Sequence, residues 1–171
     1  AQMYDVQLGA HQLKLREGWI VDDRGGLTAE EVVRCALAEA EANKTRVVVV
    51  DYLQLVKPRN HRAPRHEQLD EIVTAFATLS KTKFPWAPSG LAVVALSQLN
   101  RGVESRPDKR PQLSDLRESG ALEERCKACV MLYRGAYYGP AVEGVDYKRG
   151  EPAPEGEEWG RLIELHVTKN T

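Results

Sequence analysis

Apolar residues fall at two spacings along this chain, and the spacing assigns the elements. Val47-Val48-Val49-Val50 and Leu91 to Leu96 are unbroken apolar runs bounded by polar residues, the pattern of parallel strands covered on both faces. Leu69, Ile72, Val73, Phe76 and Leu79 recur at helical spacing and predict a helix over Arg65 to Lys81. Thr28 followed by Glu31 is a capping-box signature, opening a helix to about Ala42 with Val32, Val33, Leu37 and Ala40 on one face. Shorter signals predict strands at Trp19-Ile20-Val21, Ala128 to Tyr133 and Leu162 to Val167, and a short helix around Leu116 to Arg125. The first of these strands would complete a right-handed βαβ unit with the helix and the valine strand. Residues before Gly18 read as helical or irregular, and the Gly-, Pro- and acid-rich stretch 135–160 reads as an exposed loop or hairpin. The alternation of strand and helix is that of an α/β fold with a mostly parallel sheet and helices on both faces.

In open α/β sheets, ligands sit at the carboxyl ends of the strands. That draws attention to Asp51, which closes the valine strand, and to Gln98, two residues past Leu96. A capping polar residue at a strand end is the plainer account of Asp51. For Gln98 it is an amide bonding the nearby backbone.

The 171 residues fit one domain, and a chain of this size buries roughly 70% of its unfolded surface without staples. No apolar run approaches the ~20 residues needed to span a membrane. The first residues carry no basic stretch followed by an apolar one, so no secretion signal is expected. Three cysteines, an odd number, point to reduced thiols and a cytoplasmic setting. Cys126-Lys127-Ala128-Cys129 has no second ligand pair and reads as small residues entering a strand. The net charge of −1 excludes binding to nucleic acid by bulk charge. Two local basic stretches remain: Lys57 to His66, with four formal positive charges and no acid, and Arg101 to Arg117, where Arg106, Lys109 and Arg110 mix with Glu104 and Asp108. Either one serves equally as a solvated loop.

Three segments in order, Asp51-Tyr52-Leu53-Gln54-Leu55, Ala95 to Arg101 and Ser114-Asp115-Leu116-Arg117-Glu118-Ser119-Gly120, resemble the motor domain of the DnaB-type hexameric replicative DNA helicases. The resemblance runs from about Trp19 to Thr171, and the SDLRESG stretch is its most specific part. It implies a RecA-like P-loop NTPase fold, ATP and Mg²⁺ as cofactors, and single-stranded DNA as partner. Self-association, as a hexamer when intact, follows as well, with a primase or helicase loader as further partners. It also implies residue roles. Asp51 is the Walker B aspartate holding Mg²⁺ through water, and Gln98 senses the γ-phosphate and relays its loss to the DNA loops. Arg117, Glu118 and Gly120 form the loop that contacts the DNA backbone, where an Arg fork and a Cβ-free backbone suit phosphate. A helix N-terminus capped by Ser114 accounts for the same segment, and is itself an anion site.

The chain departs from that family in three places. It contains no GxxxxGK[ST] phosphate loop and no counterpart of the catalytic glutamate. Lys169-Asn170-Thr171 keeps the lysine of the family's Lys-x-Arg, which reaches a neighbouring subunit's nucleotide, and has Thr171 where the arginine stands. In this family the phosphate-loop strand lies beside the strand ending in Gln98. A chain lacking it is expected to be the C-terminal portion of a longer ATPase domain, with apolar strand edges exposed. The competing expectations are another RecA-like ATPase and a degenerate, non-catalytic RecA-like module that binds DNA or a replication protein.

Overall fold

The computed structural model describes residues 18–116, 120–134 and 163–170. In chain order the elements are α1 (Ala29–Asn43), β1 (Val47–Val50), α2 (Arg65–Ser80), β2 (Ala92–Ala95), α3 (Gly120–Arg125), β3 (Ala128–Tyr133) and β4 (Glu164–Asn170). β1 pairs with β2 in parallel, Val50 opposite Ala95, and β3 pairs with β4 antiparallel, Tyr133 opposite Glu164.

Local signals set these elements. The Thr28 side chain accepts from the Glu31 N–H at 3.3 Å, and the Glu31 carboxylate accepts from the Thr28 N–H at 2.8 Å, so the capping box forms as predicted. That bonding holds the Glu31 carboxyl below its ordinary value. Leu69, Ile72, Val73, Phe76 and Leu79 are all buried, and they carry α2 onto the sheet. Val48 and Val93 project into the same core from β1 and β2, and α1 adds Ala29, Ala36 and Ala40. Burying each large aliphatic side chain stabilises the fold by about 1.5–3 kcal/mol. Gly90 adopts φ +95°, and a Cβ there would lie 2.1 Å from the Ser80 carbonyl oxygen at the end of α2. Gly90→Ala is therefore expected to lower stability by about 2 kcal/mol or more, read as a reduced midpoint in urea with an unchanged slope.

The valine run predicts cover on both faces, and among the described residues only one is covered. Both helices pack against the face carrying Val48 and Val93. On the other, Val47 and Val49 are each 53% exposed and Val94 50%. β3 is half-buried in the same alternating way, with Met131 and Tyr133 inside and Val130 and Leu132 outside. Between β2 and β3 runs a groove of about 1000 Å³ lined by Val94, Leu96, Val130, Leu132, Phe76 and Leu122. The exposed apolar edges expected beside the Gln98 strand are present.

Other expectations are corrected. Trp19-Ile20-Val21 forms no strand. Asp22 bonds the Arg24 N–H at 3.2 Å and its guanidinium at 2.9 and 2.6 Å, making a local turn, and among the described residues no partner edge meets the three apolar residues. The guanidinium holds the Asp22 carboxyl at about 2. The predicted helix around Leu116 begins later in what is described. Leu116 makes an antiparallel bridge to Leu99, and helix is described from Gly120. The last strand runs on to Asn170, paired with Ala128, where the alternation in the sequence stops at Val167. The lead-in before Gly18 and the stretch 135–160 lie outside the described residues.

Candidate functional site

Parallel pairing of β1 and β2 brings their carboxyl ends together. The pairing continues past the strands, Leu96 N–H to the Val50 carbonyl at 3.0 Å and Leu53 N–H to the Leu96 carbonyl at 2.9 Å. Asp51 thus lies at the same end of the sheet as Gln98. Its carboxylate is exposed and has no hydrogen-bond or ion-pair partner among the described residues. A hard, unpaired carboxylate at a strand end suits a water-held Mg²⁺ as one ligand among several. No cluster of three or more His, Cys, Asp or Glu able to hold a metal occurs among the described residues.

Gln54 ties the two strand ends together, a part that sequence reasoning missed. Leu53 is 1% exposed and anchors the turn Leu53–Leu55. From that turn the Gln54 amide donates to the Ser97 hydroxyl at 3.0 Å and accepts from the Gln98 N–H at 3.2 Å. A side-chain amide can donate and accept in this way at once because it carries an NH₂ and a carbonyl side by side. Its signal in the sequence was a single polar residue inside the otherwise apolar Tyr52-Leu53-Gln54-Leu55. Gln98 itself is exposed, and none of the hydrogen bonds described at this strand end uses its side chain for capping.

Beyond Gln98 the chain makes an excursion and returns. Asn100 N–H donates to the Asp115 carbonyl at 2.7 Å beside the Leu99–Leu116 bridge. Asp115, only 8% exposed, receives both terminal nitrogens of Arg106 at 3.0 and 2.7 Å and the Gln112 N–H at 2.7 Å. Asp115, not Ser114, therefore organises the turn Leu113–Asp115, because its carboxylate reaches back to an N–H that a serine inside the turn does not meet. The Arg110 guanidinium grips Glu164 at 2.9 and 3.1 Å and lies 5.1 Å over the Tyr133 ring. Arg110 in turn holds the Glu164 carboxyl below its ordinary value, with a lesser effect from His166, and burial pushes the Tyr133 hydroxyl up. Two cations of the second basic stretch are thus paired, Arg106 with Asp115 inside the stretch and Arg110 with Glu164 on β4. The first stretch, Lys57 to His66, stays largely on the surface, with Arg59 paired to Glu30 at 3.2 Å.

Of the expected DNA loop, Gly120 is described, exposed at the start of α3 with open space where a Cβ would stand. Arg117 and Glu118 lie outside the described residues. Lys169, on β4 opposite Cys129, donates to the Glu123 and Glu124 carbonyls at the end of α3, at 2.5 and 3.2 Å. A lysine there satisfies carbonyls left open at a helix C-terminus. Cys126 sits at the same end, and burial holds its thiol above the ordinary value, in the protonated form that neither attacks nor binds metal readily.

No helix among the described residues is long and apolar enough to cross a membrane. Residues 2–170 match the family described as the DnaB-like helicase C terminal domain. The chain is 34% identical over 128 residues to the replicative DNA helicase DnaC of Bacillus subtilis, covering 74% of this chain and 27% of that protein. It is 39% identical over 114 residues to the replicative DNA helicase DnaB of Mycobacterium leprae, covering 67% and 18%. Among solved structures it resembles a DnaB-like replicative helicase studied with its interactions with primase, with a TM-score of 0.64, 32% identity, 87% of this chain and 31% of that one. A second solved structure, described as an ATPase domain, matches with a TM-score of 0.61 and 32% identity over 85% of this chain and 44% of that one. The chain therefore spans about a quarter of the length of the curated relatives it matches. By fold and by sequence it belongs to the DnaB-like helicase C-terminal domain family.

Proposed function

We propose that this chain is part of the ATP-dependent motor of a ring-shaped replicative DNA helicase, one that unwinds duplex by moving along single-stranded DNA. The observation that carries the reading is the position of Asp51 and Gln98 at the carboxyl ends of two hydrogen-bonded parallel strands. Asp51 would hold Mg²⁺ through water, and Mg²⁺ bound there would neutralise charge on the β- and γ-phosphates of ATP. Gln98, its backbone fixed by Gln54, has a side-chain amide able to donate to a phosphate oxygen or turn away. Arg117, Glu118 and Gly120 would meet the DNA backbone. For Lys169 to reach a neighbouring subunit's nucleotide, it must give up the two carbonyls at the end of α3. A hexamer follows from the family, and the likeness to the helicase studied with primase makes primase a proposed partner, with a helicase loader another.

A second reading keeps the fold without the chemistry: a non-catalytic module binding DNA or a replication protein. It is favoured by the absence of a GxxxxGK[ST] loop from these 171 residues. DNA-binding measurements on the full-length motor test the leading reading. Arg117→Ala is expected to weaken binding to single-stranded oligonucleotides and to reduce the dependence of log K on log salt by about one phosphate contact, whatever the base sequence. An unchanged salt slope would remove the DNA-loop assignment and leave the helix-cap account of this segment in its place.

A further inference from the structure

The segment between Gln98 and Arg117 could be a loose loop, and it is not. Its two ends are stitched together by the Leu99–Leu116 bridge and the Asn100 to Asp115 bond. Its interior is closed by Arg106, which reaches across nine residues to the buried Asp115 carboxylate and also donates to the Arg110 carbonyl at 2.9 Å. The Lys109 ammonium donates to the Arg106 carbonyl at 2.9 Å, fastening the same corner. Among the described residues Arg106 Nε has no partner, and the guanidinium makes its bonds through its two terminal nitrogens, both of them onto Asp115. The chain path from Gln98 to Arg117 is long. The bonded path crosses directly from Leu99 and Asn100 to Asp115 and Leu116.

Resting on the function proposed above, we infer that the Arg106–Asp115 pair is a positioning device that makes the nucleotide state at Gln98 felt at the loop 117–120. Residues 99–116 act as a rigid bracket. A shift of Gln98 moves Leu99 and Asn100, and these carry Asp115 and Leu116 with them only while Asp115 is held from behind by Arg106. Without that clasp, Asp115 is free to stay with one side, and the shift dissipates in the loop. Neither residue touches nucleotide or DNA in this account, so both act through others.

The test is a coupling measurement on the full-length motor: the affinity for a dT oligonucleotide with and without a non-hydrolysable ATP analogue. The ratio of the two affinities is the coupling, and linkage makes it the same whichever ligand binds first. In Arg106→Gln and in Asp115→Asn the ratio is expected to fall by about tenfold or to unity, within the usual range of coupling. Nucleotide-free DNA affinity and basal ATP hydrolysis should stay within about twofold, and the double variant should be no worse than either single one, as for two halves of one interaction. Arg106→Lys keeps the charge and loses the fork, which leaves a folded variant whose ratio should fall part of the way. A wild-type ratio carried unchanged by Arg106→Gln or Arg106→Lys, or additive losses in the double variant, would overturn the inference. A wild-type protein whose DNA binding ignores nucleotide altogether sinks the motor reading, and this inference with it. A merely structural pair would lower stability and leave the ratio alone.

Discussion

Asp51→Asn in the full-length motor is expected to lower ATP hydrolysis by about a hundredfold or more, with the protein otherwise intact. The size follows from what the side chain would do: a preorganised charge at a phosphoryl-transfer site supplies electrostatic stabilisation, and removing one such group commonly costs about 10²- to 10³-fold. The substitution is clean because Asn keeps the shape, and the Asp51 carboxylate has no bond among the described residues to lose. Folding should therefore be unaffected, seen as an unchanged circular dichroism spectrum and thermal midpoint. Gln54→Ala should act differently. It frees the Gln98 N–H and the Ser97 hydroxyl, so the strand end loses its anchor while Mg²⁺ handling at Asp51 is retained. Hydrolysis in Asp51→Asn close to that of the parent would show that the carboxylate takes no part in the chemistry and would remove the metal-holding role proposed for Asp51.

Much of this arrangement was legible because its causes are local. The capping box of α1 depends on residues three apart, and the buried face of α2 on a spacing that any helix imposes. The valine strand and its neighbour announce themselves by composition, and a polar residue after each marks the strand end. What the sequence hid depends on pairing at a distance. Arg106 reads as a surface cation beside Lys109 and Arg110, and only the return of the chain at Asp115 turns it inward. Arg110 meets Glu164 across fifty-four positions, which no periodicity reports. Trp19 to Val21 failed for the converse reason: three apolar residues suffice to suggest a strand, but a strand exists only where an open edge receives its backbone groups. The family resemblance supplied the roles of Asp51 and Gln98. It said nothing of Gln54, whose part appears only when the turn after β1 is set against the end of β2.

Taken by itself, the 171-residue chain is expected to associate in solution. Among the described residues each sheet has two strands, so β2 and β3 both present an unpaired edge to the groove between them. The faces beside those edges are apolar: Val49 and Val94 on one sheet, Val130, Leu132 at 60% exposure and Leu165 at 67% on the other. Unpaired N–H and C=O groups flanked by aliphatic side chains form a template for another strand, and a contiguous apolar patch of this kind is uncommon on a monomer. A second copy offers both a strand edge and a matching apolar face, so light scattering should give a dimer or larger species whose population rises with concentration. Val94→Lys or Leu132→Lys puts a charge on the outward side of its strand, where neither residue supports the core. Either change should move the population toward monomer while helix content stays constant. A monomer at high concentration in the parent chain would show that the groove closes on itself. Association that survives both lysine substitutions would place the contact elsewhere, since a charge buried without a partner at that surface costs more than the contact returns.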